Sequence, residues 1–202
     1  MNLADNILDK ALELADSGSW ESIRLSDIAD ELGISLDEVS RCYRQKDDLA
    51  EAMFNRVDQV MMTEASKAGF NKLNGRERIH RVIMAWLLAL SPHRRATIDM
   101  LKYKLEFGHI HLQASGILRI SRTVQWMLEA GGSRTVHLAR IAEEVGTTGI
   151  FLSTFSYWLI DHSEGYAKTV KVLDSLLHKA EKLAYLVNPS SLITQPGSQR
   201  ES

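Results

Sequence analysis

The glycines and prolines of this chain stand mostly between its periodic stretches, and that punctuation constrains the fold more than any other feature. Gly18, Gly33, Gly69, Gly75, Gly108, Gly131, Gly132 and Gly165 separate runs whose apolar residues recur at intervals of three and four. No Val/Ile/Thr-rich stretch alternates with period two, and no Asn-Gly or Asp-Gly pair marks a hairpin. The fold class expected is all-α. A first helix is predicted from about Asp5 to Asp16, with Ile7, Leu8, Ala11, Leu14 and Ala15 on one face. Ser26 opens a short second helix that Gly33 ends. Ser35 caps a third, with Glu38 as its capping-box partner. A long helix follows over about 47–67, then further helices over roughly 75–90, 92–107, 111–130, 134–161 and 164–187. Asn74, Ser91-Pro92, Ser133 and Ser163 stand where four of these need a start signal. Residues 188–202 carry proline and serine with no apolar period and are expected to form a mobile tail.

Composition narrows the function classes. At 202 residues the chain can build one or two cores without staples, and its single cysteine, Cys42, has no partner for an internal disulfide. Cys42 reads as a small core residue, and the chain as suited to a reducing cytoplasm. The longest apolar run, Val82–Leu90, is about half of what a membrane span of about 18–20 residues needs, and no secretory signal opens the sequence. Cytoplasmic localisation without membrane contact is expected. Charge is split unevenly: residues 1–50 hold 5 Lys and Arg against 12 Asp and Glu, a net −7, whereas the rest carries 19 against 14, a net +5.

Short helix, glycine turn, short helix is the pattern of a helix-turn-helix, in which Ile28, Ala29 and Leu32 would pack against Val39 and Cys42. The third helix would then be free to enter a major groove. The stretch IRLSDIADELGISLDEVSRCYRQKDDLAEAMF resembles the DNA-binding signature of the TetR family of bacterial regulators. The matching positions are Ser26, Ile28–Ala29, Gly33–Ile34–Ser35, Tyr43, Lys46–Asp47 and Leu49, preceded by Gly18 and Trp20. The resemblance implies a DNA-binding domain over 1–50 and a ligand-binding and dimerisation domain over 51–187. It implies that Ser26, Ser35, Tyr43 and Lys46 touch phosphates, that Leu36, Asp37 and Ser40 lie towards the groove, and that Arg41 and Arg44 belong to the same contact surface. Ser40 stands where the family usually has a tyrosine, and no basic arm precedes the first helix. The segment 34–46 is nevertheless +1, with Arg41, Arg44 and Lys46 against Asp37 and Glu38.

For the body, the resemblance implies a homodimer built by the last two long helices, with double-stranded operator DNA and a small apolar ligand as the other partners. Gly149, Ser153 and Ser156 are small enough for close helix approach. Phe155, Leu173, Leu176, Leu177 and Ala180 supply bulk at helical spacing, and the alternative is an intrachain core with no partner. Met84, Trp86, Met100, Tyr103, Phe107, Leu118, Trp126 and Met127 suit an apolar ligand pocket, and they suit an ordinary core as well. A looser second likeness links the body, through Trp158, Asp161, Ser163, Thr169 and Leu173–Asp174, to the TetR-fold lipid-binding accessory proteins of ubiquinone biosynthesis. That likeness implies the alternative function, an isoprenoid- or lipid-binding protein that has lost DNA. The basic run from Lys72 to Lys104, 8 Lys and Arg against 2 acids, reads first as solvated helix faces, with an anionic membrane surface as the alternative.

Catalytic and metal chemistry find no pattern to rest on. His109 and His111 are two apart, with no third ligand at helical spacing. Asp161-His162-Ser163 is contiguous, whereas triad members converge from separate elements. No enzymatic activity and no cofactor are expected.

Overall fold

The computed structural model describes residues 2–105, 110–133 and 137–187, and among these the side chains of residues 2–102, 118–133, 139–184 and 186. The expected positions at Phe107 and in the tail after residue 187 lie outside the described residues, as does the side chain of Tyr103. Within the described residues the chain is helical throughout: α1 (Leu3–Ser17), α2 (Leu25–Leu32), α3 (Leu36–Cys42), α4 (Lys46–Ala65), α5 (Gly75–Leu90), α6 (Arg94–Leu105), α7 (Ile110–Gly131), α8 (His137–Trp158) and α9 (Ala167–Val187). Single 3₁₀ turns at Phe70–Lys72, Ser91–His93 and Glu164–Tyr166 join α4 to α5, α5 to α6 and α8 to α9.

Local chemistry sets most of the helix ends. Asn2 accepts from the Asp5 N–H at 2.9 Å to start α1. The second helix begins one residue before Ser26, and its start is closed by Asp27, whose carboxylate accepts from the Arg24 N–H at 2.9 Å. Gly33 ends it in the left-handed region at φ +64°, where a side chain is strained. The Ile34 N–H then reaches back to the Ala29 carbonyl at 3.0 Å, capping the helix as the chain reverses. Ser35 and Glu38 form the expected reciprocal box on α3, with the Glu38 N–H donating to Ser35 and the Ser35 N–H to Glu38. Those bonds from Ser35, backbone first and hydroxyl second, hold the Glu38 carboxyl below its ordinary value. Asn74 and Glu77 repeat the box on α5.

Packing follows from the stripes. Ile7, Leu8, Ala11, Leu12 and Ala15 of α1 are buried against Ile28 and Ala29 of α2, Val39 of α3 and Leu49, Ala50 and Met53 of α4. Trp20 and Ile23 close this small core from the α1–α2 turn. Met61, Val82, Ile83, Leu87, Leu90, Met100, Val124, Met127, Trp158 and Leu173 continue the same buried cluster into the later helices. Helix α4 crosses from the first 50 residues (the head) into the later helices (the body), with Leu49 and Met61 buried in the one cluster. Where α5 meets α7 the helices approach so closely that a Cβ on Gly131 would lie 2.5 Å from Ile79.

Candidate functional site

The outward side of α3 is the first candidate surface. Ser35, Leu36, Asp37, Ser40, Arg41 and Arg44 are exposed there, and Leu36 is 52% accessible although it is apolar. Arg41 and Asp37 pair at 2.5 Å along the helix, and the Ser40 hydroxyl donates to the Asp37 carbonyl at 2.8 Å. Of the other three candidates, Tyr43 and Lys46 bond to carbonyls of the chain itself. Tyr43 is buried and its hydroxyl donates to the Ala4 carbonyl at 3.1 Å, while burial pushes its ionisation up. Lys46 points under the α1–α2 turn, where its ammonium donates to the carbonyls of Trp20 (3.0 Å), Glu21 (2.9 Å) and Ile23 (3.3 Å). Burial lowers the Lys46 pKa against the opposing pull of Asp47 and Glu21. Ser26 is half-buried beside Asp27.

The head is bolted to the body at both ends of α1. Arg56 of α4 reaches Asp9 and, at 3.3 Å, Asp5. At the other end Asp16 meets His93 at 2.7 Å and accepts from the Ala96 N–H, and Arg95 donates to the carbonyls of Asp16 and Gly18. His93 ends the 3₁₀ turn before α6, and Arg95 and Ala96 are in the first turn of that helix.

The body holds an apolar cavity of about 100 Å³ between α4, α5, α6, α7 and α8. Phe54, Trp86, Leu101, Ile120, Phe151, Leu152 and Phe155 form its apolar wall, with Glu51, Arg119 and Thr123 as the polar part. Trp86 is the hub: it stacks with Phe54 at 6.0 Å and meets Phe151 and Phe155 edge-on at 5.0 and 5.7 Å. Of the eight residues that sequence suggests for a pocket, Trp86 alone among the described side chains lines this cavity. Met84, Met100 and Met127 are buried elsewhere in the core, whereas Leu118 and Trp126 are exposed on the outer side of α7, at 68% and 47%.

Beside the cavity lies a polar cluster that sequence reading missed. Arg119, 6% exposed, donates to Asp58 at 2.8 Å, to Glu51 at 3.2 Å and to Asn55. Asp58 also accepts from the Trp86 indole N–H at 2.8 Å and from the Thr123 hydroxyl at 3.1 Å. The signal was present: Glu51, Asn55 and Asp58 recur at four and three, as do Arg119 and Thr123 at four, polar residues set on helix faces that are otherwise apolar.

On α8 and α9, Gly149, Ser153 and Ser156 are exposed and Leu176 and Ala180 are half-buried, but Phe155, Leu173 and Leu177 are buried in the protomer's own core. What remains outside is a stripe of Ile141, Val145 and Leu152 on α8, Ile160 in the turn after it, and Leu183 and Leu186 on α9. The residues behind the second likeness build the α8–α9 corner. There Asp161 accepts from the side chains and N–H groups of Thr169 and Ser163 at 2.7–2.8 Å. Burial would raise the Asp161 carboxyl, but those four bonds outweigh it and hold it well below the carboxylate range. Arg94 ties the same corner to α6 through the carbonyls of Leu159 and Asp161. Among the described residues no group of His, Cys, Asp and Glu is placed to hold a metal ion, and no helix is long and apolar enough to cross a membrane.

These features together define an all-α protein with a helix-turn-helix head carried on a helical body. Among solved structures the chain is similar to the TetR transcriptional regulator from Nitrosomonas europaea, with 44% identity and a TM-score of 0.80 over 89% of this chain and 98% of that one. It shares its fold with a TetR transcriptional regulator from Rhodococcus sp. RHA1 (15% identity, TM-score 0.62, 86% and 94% covered). A tetR-family regulator from Streptomyces coelicolor is similar too (16% identity, TM-score 0.65, 94% and 86% covered). No family model matches the sequence, and no curated protein matches it. The chain belongs to the TetR family of transcriptional regulators, and α2 and α3 are its helix-turn-helix.

Proposed function

We propose that this protein is a cytoplasmic, ligand-responsive regulator that binds operator DNA as a homodimer, rather than a catalyst. Residues 1–50 read the DNA and residues 51–187 bind the ligand and the partner copy. The observation that carries the reading is the outward face of α3, where Leu36, Asp37, Ser40 and Arg41, with Arg44 just after the helix, are exposed on a segment fastened at its start by the Ser35–Glu38 box. Ser35 serves that face as the cap of α3, since its N–H and its hydroxyl both donate to Glu38. Tyr43 and Lys46 support DNA binding indirectly, by holding α3 and the α1–α2 turn in place. The exposed stripes of α8 and α9 are the dimer surface.

The cavity is the effector site, and its walls supply the coupling. Leu101 is on α6, whose first turn is bonded to the end of α1, and Phe54 and Glu51 are on α4, which enters the head. A ligand that displaces either helix shifts the two heads of a dimer relative to successive major grooves. Fluorescence anisotropy on the protein's own upstream region tests this. Affinity should fall steeply with salt, and Arg44→Ala should reduce the slope of log K against log[salt] by about 0.9, the loss of one phosphate contact. Binding that ignores salt, or a variant with an unchanged slope and affinity, refutes the assignment of α3.

A further inference from the structure

We propose that the cleft between the α1–α2 turn, α6 and the α8–α9 corner binds a free aliphatic carboxylate. Arg95 and Lys102 hold its charge, and its chain lies on Ile98, Leu159 and Ile160. This site is separate from the internal cavity, and binding there does not depend on the DNA reading.

The charge comes from the basic run over 72–104, which packing sorts into two kinds. Arg76 and Arg81 are met by the carboxylates of Glu181 and Glu64. Among the described residues, Arg94 donates instead to the carbonyls of Leu159 and Asp161, and Arg95 to those of Asp16 and Gly18. A carbonyl fixes a guanidinium in place but does not neutralise it. Lys102 is exposed, with Asp99 as a loose partner at 3.7 Å. These three cations line one open cleft of about 720 Å³, where Asp99 supplies the opposing carboxylate. The carboxylates of Asp16 and Asp161, on neighbouring turns, are already engaged with His93 and the Ala96 N–H, and with Ser163 and Thr169.

The register of α6 gathers the donors and an apolar residue on one face. Arg95, Ile98 and Lys102 stand at intervals of three and four, so the two cations are two turns apart, roughly 10 Å along the axis, with Ile98 between them. Two long side chains span such a gap. A guanidinium carries five N–H groups, and the exposed Arg95 commits two to carbonyls, which leaves donors for a charge-assisted bond to a carboxylate.

The rest of the wall selects what the carboxylate is attached to. Leu159 and Ile160 face the same cleft from the end of α8, and Ile160 is 69% exposed. With Ile98 they form an aliphatic surface, and a chain laid on it removes apolar area from water on both sides. A cationic head group on the same chain would meet three positive side chains. The concave shape, with Gly18 and Ser19 of the head on one side, suits a free molecule better than the broad surface of an anionic bilayer.

Titration calorimetry of the full-length protein at pH 7 and low salt, without DNA, compares octanoate, octylammonium and acetate. Octanoate should bind at least about tenfold more tightly than either of the others and should weaken as salt is added. Lys102→Glu and Ile160→Asp alter exposed side chains and should fold; each should weaken octanoate about tenfold. Lys67→Glu, just after α4 and away from the cleft, should leave it unchanged. Octylammonium or acetate binding as tightly as octanoate, no heat with octanoate at millimolar concentration, or an unchanged affinity in Lys102→Glu overturns the proposal. Phosphatidylglycerol vesicles should leave the protein in the supernatant on sedimentation. Cosedimentation that Lys102→Glu abolishes would give the patch to a membrane and overturn the free ligand. Operator affinity on the same preparation keeps the readings apart: intact DNA binding without octanoate binding removes this site alone, and octanoate binding without DNA binding removes the regulator reading alone.

Discussion

Substituting Val145 by Asp should break the proposed homodimer while leaving the protomer folded. Val145 is 67% exposed in the protomer and lies on the α8 stripe with Ile141 and Leu152. Fully burying a valine side chain is worth about 1.5–3 kcal/mol. Two-thirds of that is still open to a partner, and two-fold symmetry counts it twice, so about 2–4 kcal/mol of dimer stability rests on this position. At about 1.4 kcal/mol per decade the dissociation constant should rise at least roughly thirtyfold, and more once two carboxylates are driven into an apolar contact. Sedimentation velocity over nanomolar to micromolar protein should show the natural chain dimeric and the variant shifted to monomer, with unchanged helix content. Val60→Asp, 46% exposed on α4 and away from α8 and α9, is the control and should leave the dimer intact. A Val145→Asp dimer as tight as the natural one, or a natural chain that is monomeric at micromolar concentration, refutes the assignment of this face.

Two further outcomes follow from single contacts. Lys46→Met removes the clamp on the carbonyls of Trp20, Glu21 and Ile23 and should lower stability by roughly 2 kcal/mol, or Tm by about 4–8 °C, in the absence of any DNA; an unchanged melting curve would return Lys46 to a purely DNA-contacting role. Asp161→Asn replaces one accepting oxygen by a donor against four donors and should cost roughly 2–3 kcal/mol at pH 7 by denaturant titration. Because the native carboxyl is held below its ordinary value, its contribution is complete above about pH 4 and is lost as pH falls towards the native pKa. The difference between the two proteins should therefore shrink below pH 4, and a difference independent of pH would contradict the assignment.

Helix ends were legible because their causes are local. Ser35 with Glu38 and Asn74 with Glu77 act within one turn, so spacing alone finds them. Ser26 was a near miss of the same kind, since Asp27 one residue on closes α2 instead. The faces of the body helices were another matter. α8 carries apolar residues on every side, so its sequence does not say that Phe155 turns inwards while Val145 turns out. Leu118 and Trp126 resemble pocket residues by type, yet the register of α7 points them to solvent and brings Arg119 and Thr123 to the cavity instead. Partners for Arg119 sit 61–68 positions away on α4, a distance at which no local signal operates.

The uneven charge of the sequence has a structural explanation that changes what it implies for DNA. Most of the head's acids are engaged in holding it together or fastening it down. Asp27, Glu38 and Asp48 close helix starts, Glu13 pairs with Lys10, and Asp37 pairs with Arg41. Asp5, Asp9 and Asp16 face Arg56 and His93, so the negative head and the positive body meet across one seam along α1. A charge neutralised by a partner at hydrogen-bond distance contributes little beyond the Debye length of about 8–10 Å. Three of the twelve acids of residues 1–50, Asp5, Asp9 and Asp16, therefore belong to a joint with later residues, and on the face proposed to meet DNA Asp37 is offset by Arg41. For the ligand response proposed above the seam is the natural lever: ion pairs at a partly exposed joint are individually weak, so a ligand that moved α4 or α6 would work against small increments of energy rather than against the core.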